Sequence, residues 1–119
     1  MGNRKVAVSL QTFSVVLLLL ALDAAHGAGR TIEIHAKRFS FTPAEITITK
    51  GESVTLELTS DDVPHSLVIK GLGVNQSITK GKTTQVTLNP TTVGDFHGQC
   101  GRFCGSGHGG MVFTVHVKE

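Results

Sequence analysis

Beyond residue 30, apolar side chains recur at every second position, and no other feature of this chain restricts its fold as tightly. Ile32 and Ile34 alternate with Glu33 and His35, Ile46 and Ile48 with Thr47 and Thr49, and Val54, Leu56 and Leu58 with Thr55, Glu57 and Thr59. The pattern returns at Val86 and Leu88, and again where Met111, Phe113, Val115 and Val117 alternate with Val112, Thr114, His116 and Lys118. A period of two puts successive side chains on opposite faces of a pleated strand, so these segments read as half-buried antiparallel strands. No helical period competes with them. Turn formers fall between the runs, at Thr42-Pro43, Lys50-Gly51-Glu52, Asp61-Asp62-Val63-Pro64, Gly71-Leu72-Gly73, Lys80-Gly81-Lys82 and Asn89-Pro90. Short strands so punctuated predict an all-β sandwich or barrel.

The N-terminus obeys a different rule. Arg4 and Lys5 precede the run Phe13 to Leu22, apolar apart from Ser14, and small residues follow at Ala24, Ala25, Gly27 and Ala28. Basic, apolar and small stretches in that order predict a secretory signal peptide over residues 1–27, with the folded domain at 28–119 and an extracytoplasmic, periplasmic type of location. The stretch from Val6 to Leu22 is interrupted by Ser9, Gln11, Thr12 and Ser14, short of the roughly 20 apolar residues that a membrane span needs. An uncleaved anchor is the alternative. The 119 residues make one domain. Removing Arg4, Lys5 and Asp23 leaves that domain near neutral, so neither a nucleic-acid partner nor, after cleavage, a membrane is expected.

Chemistry is concentrated between Cys100 and Met111, where the chain reads C-G-R-F-C-G-S-G-H-G-G-M and holds both cysteines, one histidine and the only methionine beyond Met1. Outside the cytoplasm two free thiols oxidise unless a metal holds them. Thiolates, an imidazole and a thioether form a soft donor set suited to copper in both oxidation states, which is what a one-electron carrier requires. A mononuclear blue-copper site uses one Cys, two His and a weak Met, and would leave the second cysteine as a spare thiol. Two thiolates bridging two copper ions remove that difficulty, provided a second histidine arrives from elsewhere. His65 is the best candidate, because it follows the Asp-Asp-Val-Pro turn and opens the apolar run Leu67-Val68-Ile69.

The segment Gly98 to Met111, with Asp62-Val-Pro-His-Ser-Leu upstream and Phe39-Ser-Phe-Thr-Pro43 before it, resembles the dinuclear copper (CuA) domain of cytochrome c oxidase subunit II and nitrous oxide reductase. The resemblance covers the whole of residues 28–119. It implies a cupredoxin Greek-key barrel in which Cys100 and Cys104 bridge two copper ions. His65 and Met111 then complete one ion, and His108 with the backbone carbonyl of Arg102 completes the other. It also implies single-electron exchange with redox proteins, a cytochrome c or a copper oxidase or reductase. Arg102 stands where family members often carry Glu or Gln. Leu67 follows Ser66 where Trp is common, and the sequence has neither Trp nor Tyr, whereas subunit II carries a transmembrane hairpin and an aromatic cluster. The reading is therefore a freestanding exported carrier, not itself an enzyme. A periplasmic protein that stores or delivers copper to an oxidase or monooxygenase is the alternative, and a mononuclear blue-copper carrier a third.

Simpler readings exist for the same residues. Cys100 and Cys104 could pair as a disulfide, the default for exported thiols. A zinc site could use His65, Cys100, Cys104 and His108, but gives Met111 no role. The G-x-G-x-x-G at 105–110 leads into a strand and not a helix, so it is no dinucleotide motif. His35 and His116 are expected to be solvated, His97 to lie either beside the ligands or at the surface rather than to be a ligand, and Asp61 and Asp62 to act as turn formers.

Overall fold

Each alternating segment forms a strand in the computed structural model, which describes Gly2 and residues 29–119. The signal peptide expected over 1–27 lies outside the described residues. Among the described residues nine strands follow in order: β1 (Arg30–Lys37), β2 (Ser40–Thr42), β3 (Glu45–Thr49), β4 (Val54–Ser60), β5 (His65–Ile69), β6 (Val74–Ile78), β7 (Thr84–Leu88), β8 (Gly94–Gln99) and β9 (Val112–Lys118). The only helical pieces among the described residues are single 3-10 turns at Lys70–Leu72 and His108–Gly110. No helix among them is long and apolar enough to cross a membrane.

The strands divide into a four-stranded sheet, β2-β1-β4-β7, and a five-stranded sheet, β3-β9-β8-β5-β6. Their inward faces meet as a sandwich, the architecture the alternation predicts. Two pairings depart from the antiparallel expectation: β1 runs parallel to β4, and β3 parallel to β9. Alternation reports which face of a strand is buried but carries nothing about direction. Direction is set by the connections, and here the chain leaves one sheet through β3 and returns through β4, so strands beside each other in space are not neighbours in sequence.

Burial follows the sequence period closely, as in β4, where Val54, Leu56 and Leu58 are fully buried between partly exposed neighbours. Phe41 from the first sheet meets Phe113 from the second edge to face, with ring centroids 5.9 Å apart. Such aromatic pairs contribute about 0.5–1.5 kcal/mol beyond the area they bury. At one end of the sandwich three connections converge: the β1–β2 turn at Arg38 and Phe39, the β4–β5 turn at Asp61–Pro64, and the long β8–β9 connection.

Candidate metal centre

The β8–β9 hairpin places its chemistry by register. Gln99 pairs with Val112, and one step further the Cys100 N–H donates to the Met111 carbonyl at 3.1 Å. Cys100 and Met111 therefore flank the mouth of the loop, and both continue the inward-facing rows of their strands, at 2% and 0% exposure. Within the loop, His108 N–H to Gly105 carbonyl at 3.2 Å and Met111 N–H to His108 carbonyl at 3.2 Å wind the chain back so that Cys104 and His108 return toward the mouth. His65 arrives independently as the first residue of β5, fully buried.

All six expected positions converge. The two Sγ atoms lie 4.0 Å apart, as free thiols. Beside Cys100 Sγ are His65 Nδ1 at 3.9 Å and the Arg102 carbonyl oxygen at 3.1 Å. Beside Cys104 Sγ are His108 Nδ1 at 3.7 Å and Met111 Sδ at 3.9 Å. Ligand atoms of His65, Cys100 and Cys104 all fall within 4.8 Å of one another. Two sulfurs bonded at about 2.3 Å to one tetrahedral ion sit about 3.8 Å apart, and a sulfur and an imidazole nitrogen about 3.6 Å. The observed spacings match ligands sharing an ion, and they exceed the ~2.05 Å of a disulfide.

Electrostatics also ask for a cation. Burial pushes the Cys104 thiol above its ordinary range, and the neighbouring Cys100 pushes the same way; Arg38 opposes them only in part. Two thiolates in this position need positive charge between them, and a coordinated metal supplies it.

Residues that the sequence reading passed over hold the donors in place. Asp62, expected only to form a turn, accepts the Arg38 N–H at 2.7 Å, the Val63 N–H at 2.6 Å and the His65 Nε2–H at 2.7 Å. Placing the imidazole proton on Nε2 leaves Nδ1 as the lone-pair atom facing Cys100. Burial works against ionising Asp62, yet these three donors outweigh it and keep the carboxyl well below the usual range. Arg38 Nε donates to the Cys104 carbonyl at 2.8 Å, and the Gly101 N–H donates to Ser66 Oγ at 2.9 Å. The Phe39 ring covers the loop backbone so closely that a Cβ at Gly107 would fall 2.5 Å from it. The signal for Asp62 was its place three residues before His65; Phe39 stood in the segment that carries the resemblance but with no role attached, and Arg38 had no signal.

The other described histidines, His35, His97 and His116, lie elsewhere. His97 is on the outer face of β8, 3.4 Å from Thr114 Oγ1. His35 contacts Asp61 at 3.2 Å rather than water alone. His116 is likewise paired, at 2.6 Å from Asp95 and 3.8 Å from Glu45, because the β8–β9 register sets Asp95 opposite it.

The sequence profile of the cupredoxin-like domain matches residues 10–113. The chain belongs to the cupredoxin-like domain family. Among curated relatives of this cupredoxin, cytochrome c oxidase subunit 2 of Thermus thermophilus is 29% identical over 89 residues, which is 75% of this chain and 66% of that protein. Subunit 2 of Branchiostoma floridae is 28% identical over 95 residues, 80% of this chain and 38% of that protein. The cupredoxin thus spans two-thirds or less of the length of these relatives. Among solved structures, the periplasmic domain of subunit II of cytochrome oxidase of Bradyrhizobium japonicum superposes with a TM-score of 0.71 at 20% identity, covering 77% of this chain and 86% of that one. Auracyanin A, a blue copper protein of Chloroflexus aurantiacus, gives 0.62 at 17% identity, covering 76% of this chain and all of that one. At these identities the superpositions speak to the fold, which is the one the alternation and the resemblance predict.

Proposed function

We propose that this cupredoxin is an exported one-electron carrier with a dinuclear, mixed-valence CuA-type copper centre. One observation carries the reading: the Cys100 and Cys104 sulfurs stand 4.0 Å apart with a different imidazole beside each. Three side-chain donors and a carbonyl around one sulfur pair make six donors in all, which exceeds what a single tetrahedral ion takes. His65 with Met111, and His108 with the Arg102 carbonyl, each have one member beside each sulfur. With that distribution His65 and Met111 would hold one ion and His108 and the Arg102 carbonyl a second, both sharing Cys100 and Cys104. Met111 lies inside the donor cluster at 3.9 Å from Cys104, and copper gives a thioether a role that zinc does not. The likeness to cytochrome c oxidase subunit 2 and to the periplasmic domain of a subunit II, with the secretory composition read over residues 1–27, supports an extracytoplasmic redox role.

Copper bound here supplies a one-electron couple, and the chain's own residues do the rest. Cys100 and Cys104 offer thiolates from the rigid mouth of a hairpin, so the donor spacing is set before any electron arrives. Asp62 fixes the His65 tautomer. Met111 and Leu67 close the core side against water, both fully buried. His108 is only partly buried, and beyond Gly109 and Gly110 a Cβ would meet open space. The outward edge of His108 is therefore the short route to a partner.

Metal analysis with electron paramagnetic resonance on copper-loaded protein tests this. Two coppers per chain and an unpaired spin shared by two equivalent nuclei are the expected result. A single nucleus per chain selects the mononuclear site. Release of Cu(I) to a competing chelator during redox cycling would select copper delivery instead.

A further inference from the structure

The segment between the cysteines carries a surface feature that metal binding does not use. Phe103 is 77% exposed, and its ring centroid lies 5.8 Å from that of His108. Beside it a shallow depression of about 260 Å³ is lined by the side chains of Arg38, Val63, Pro64, Arg102 and Phe103, over Cys104 and Gly105. Both arginines are exposed and no carboxylate lines the depression. The acids nearby are engaged: Asp62 accepts from Arg38, Val63 and His65, and Asp61 faces His35. Arg38 is itself anchored through Nε on the Cys104 carbonyl, which fixes one positive charge over the loop.

An exposed phenyl ring among arginines is the composition of an interface centre, where aromatic and Arg side chains are enriched. Its charge selects the partner. Because the domain as a whole is near neutral, attraction here is local, acting over a screening length of about 10 Å at 0.1 M salt. Resting on the electron-transfer reading, we infer that the face formed by Arg38, Arg102 and Phe103 is the docking surface for a redox protein that rings the exposed edge of its cofactor with carboxylates. Phe103 inserts as the apolar anchor, the arginines meet the acidic rim, and His108 lies one ring away from the contact.

The test uses copper-loaded full-length protein and small probes of opposite charge. Reduction by hexacyanoferrate(II) should be fast at low salt and slow as salt rises, while reduction by hexaammineruthenium(II) should show the opposite trend. Arg102→Glu, which retains the backbone carbonyl, should lower the hexacyanoferrate rate about tenfold or more at 10 mM salt and raise the hexaammineruthenium rate. Lys118→Glu makes the same change in net charge at the far end of β9, about 20 Å along the strand from Met111, and should leave both rates within about twofold. As a readout independent of electron transfer, redox-inert hexacyanochromate(III) should broaden amide resonances of Arg102, Phe103 and Gly105 in the Cu(I) protein, and Arg102→Glu should abolish that broadening. Equal loss of rate in the two charge variants, or broadening centred elsewhere, overturns the docking surface while leaving the carrier intact. A protein that neither reagent reduces overturns the carrier reading, and this inference with it.

Discussion

Replacing Asp62 by Asn changes one oxygen to an amide group and almost nothing in shape, yet it removes the charge on which three donors converge. The carboxylate accepts Arg38 N–H, Val63 N–H and His65 Nε2–H, all within 2.7 Å. A carboxamide has one acceptor oxygen. Turned toward Val63 and His65, it opposes its own N–H to that of Arg38; turned toward Arg38, it offers a donor to His65 and drives the imidazole proton to Nδ1, against Cys100. Charged hydrogen bonds contribute about 1.5–3 kcal/mol each. Asp62 is 32% exposed, which favours the lower end, so the variant should lose about 2 kcal/mol of folding stability, or roughly 8–16 °C in melting temperature for a domain of this size. Copper affinity should fall by about 10- to 100-fold, as when other groups that orient a ligand histidine are removed. Thermal melts of copper-free protein measure the first and chelator competition the second. The pH dependence is a separate check. Because the folded carboxyl is held below its ordinary 3.8, its contribution is present above that value and is lost as pH falls toward the folded one, so wild type and variant should converge in acid. Equal stability and affinity at pH 7, or a gap that persists unchanged in acid, would refute the reasoning.

Cys100→Ser and Cys104→Ser should each abolish the spin signal shared by two coppers, since one bridging sulfur is gone; a retained shared signal in either variant contradicts the bridging assignment. Gly107→Ala sets a methyl 2.5 Å from the Phe39 ring and should cost about 1–3 kcal/mol in denaturant titrations. Phe39→Leu should recover part of that loss. His116 has its ring nitrogen on Asp95, which raises its folded pKa above the usual 6.5. The stabilisation is complete below the unfolded value and fades as pH rises through the folded one, so melting temperature should drop across that window in wild type and stay flatter in Asp95→Asn.

The sandwich was legible because alternation and burial are the same fact seen twice: Val54, Leu56 and Leu58 vanish from the surface as their spacing requires. Strand direction was not, since β1 beside β4 and β3 beside β9 follow from how connections cross between sheets, and no local pattern encodes that. Strands with weak alternation were also hidden. β8 reads Gly-Asp-Phe-His-Gly-Gln and has two glycines where apolar side chains would mark its face; a Cβ at Gly98 would come within 2.7 Å of Ile69. At the candidate centre, the donors could be named because sulfur and imidazole are rare and clustered. Their supports could not, because Arg38 and Phe39 reach the loop from more than sixty residues away by contacts that depend on the finished fold.

That separation has a consequence for how the protein acquires metal. The donor cage needs an arginine and a phenylalanine from the early part of the chain, a histidine from its middle and a loop near its end, so no fragment synthesised first contains a usable pocket. Metal uptake belongs to the completed sandwich, and because the unfolded chain has no matching site, bound ions raise the barrier to losing any of these segments. Cargo and scaffold therefore protect one another: stripping the ions should loosen the N-terminal turn, and clipping that turn should release the ions.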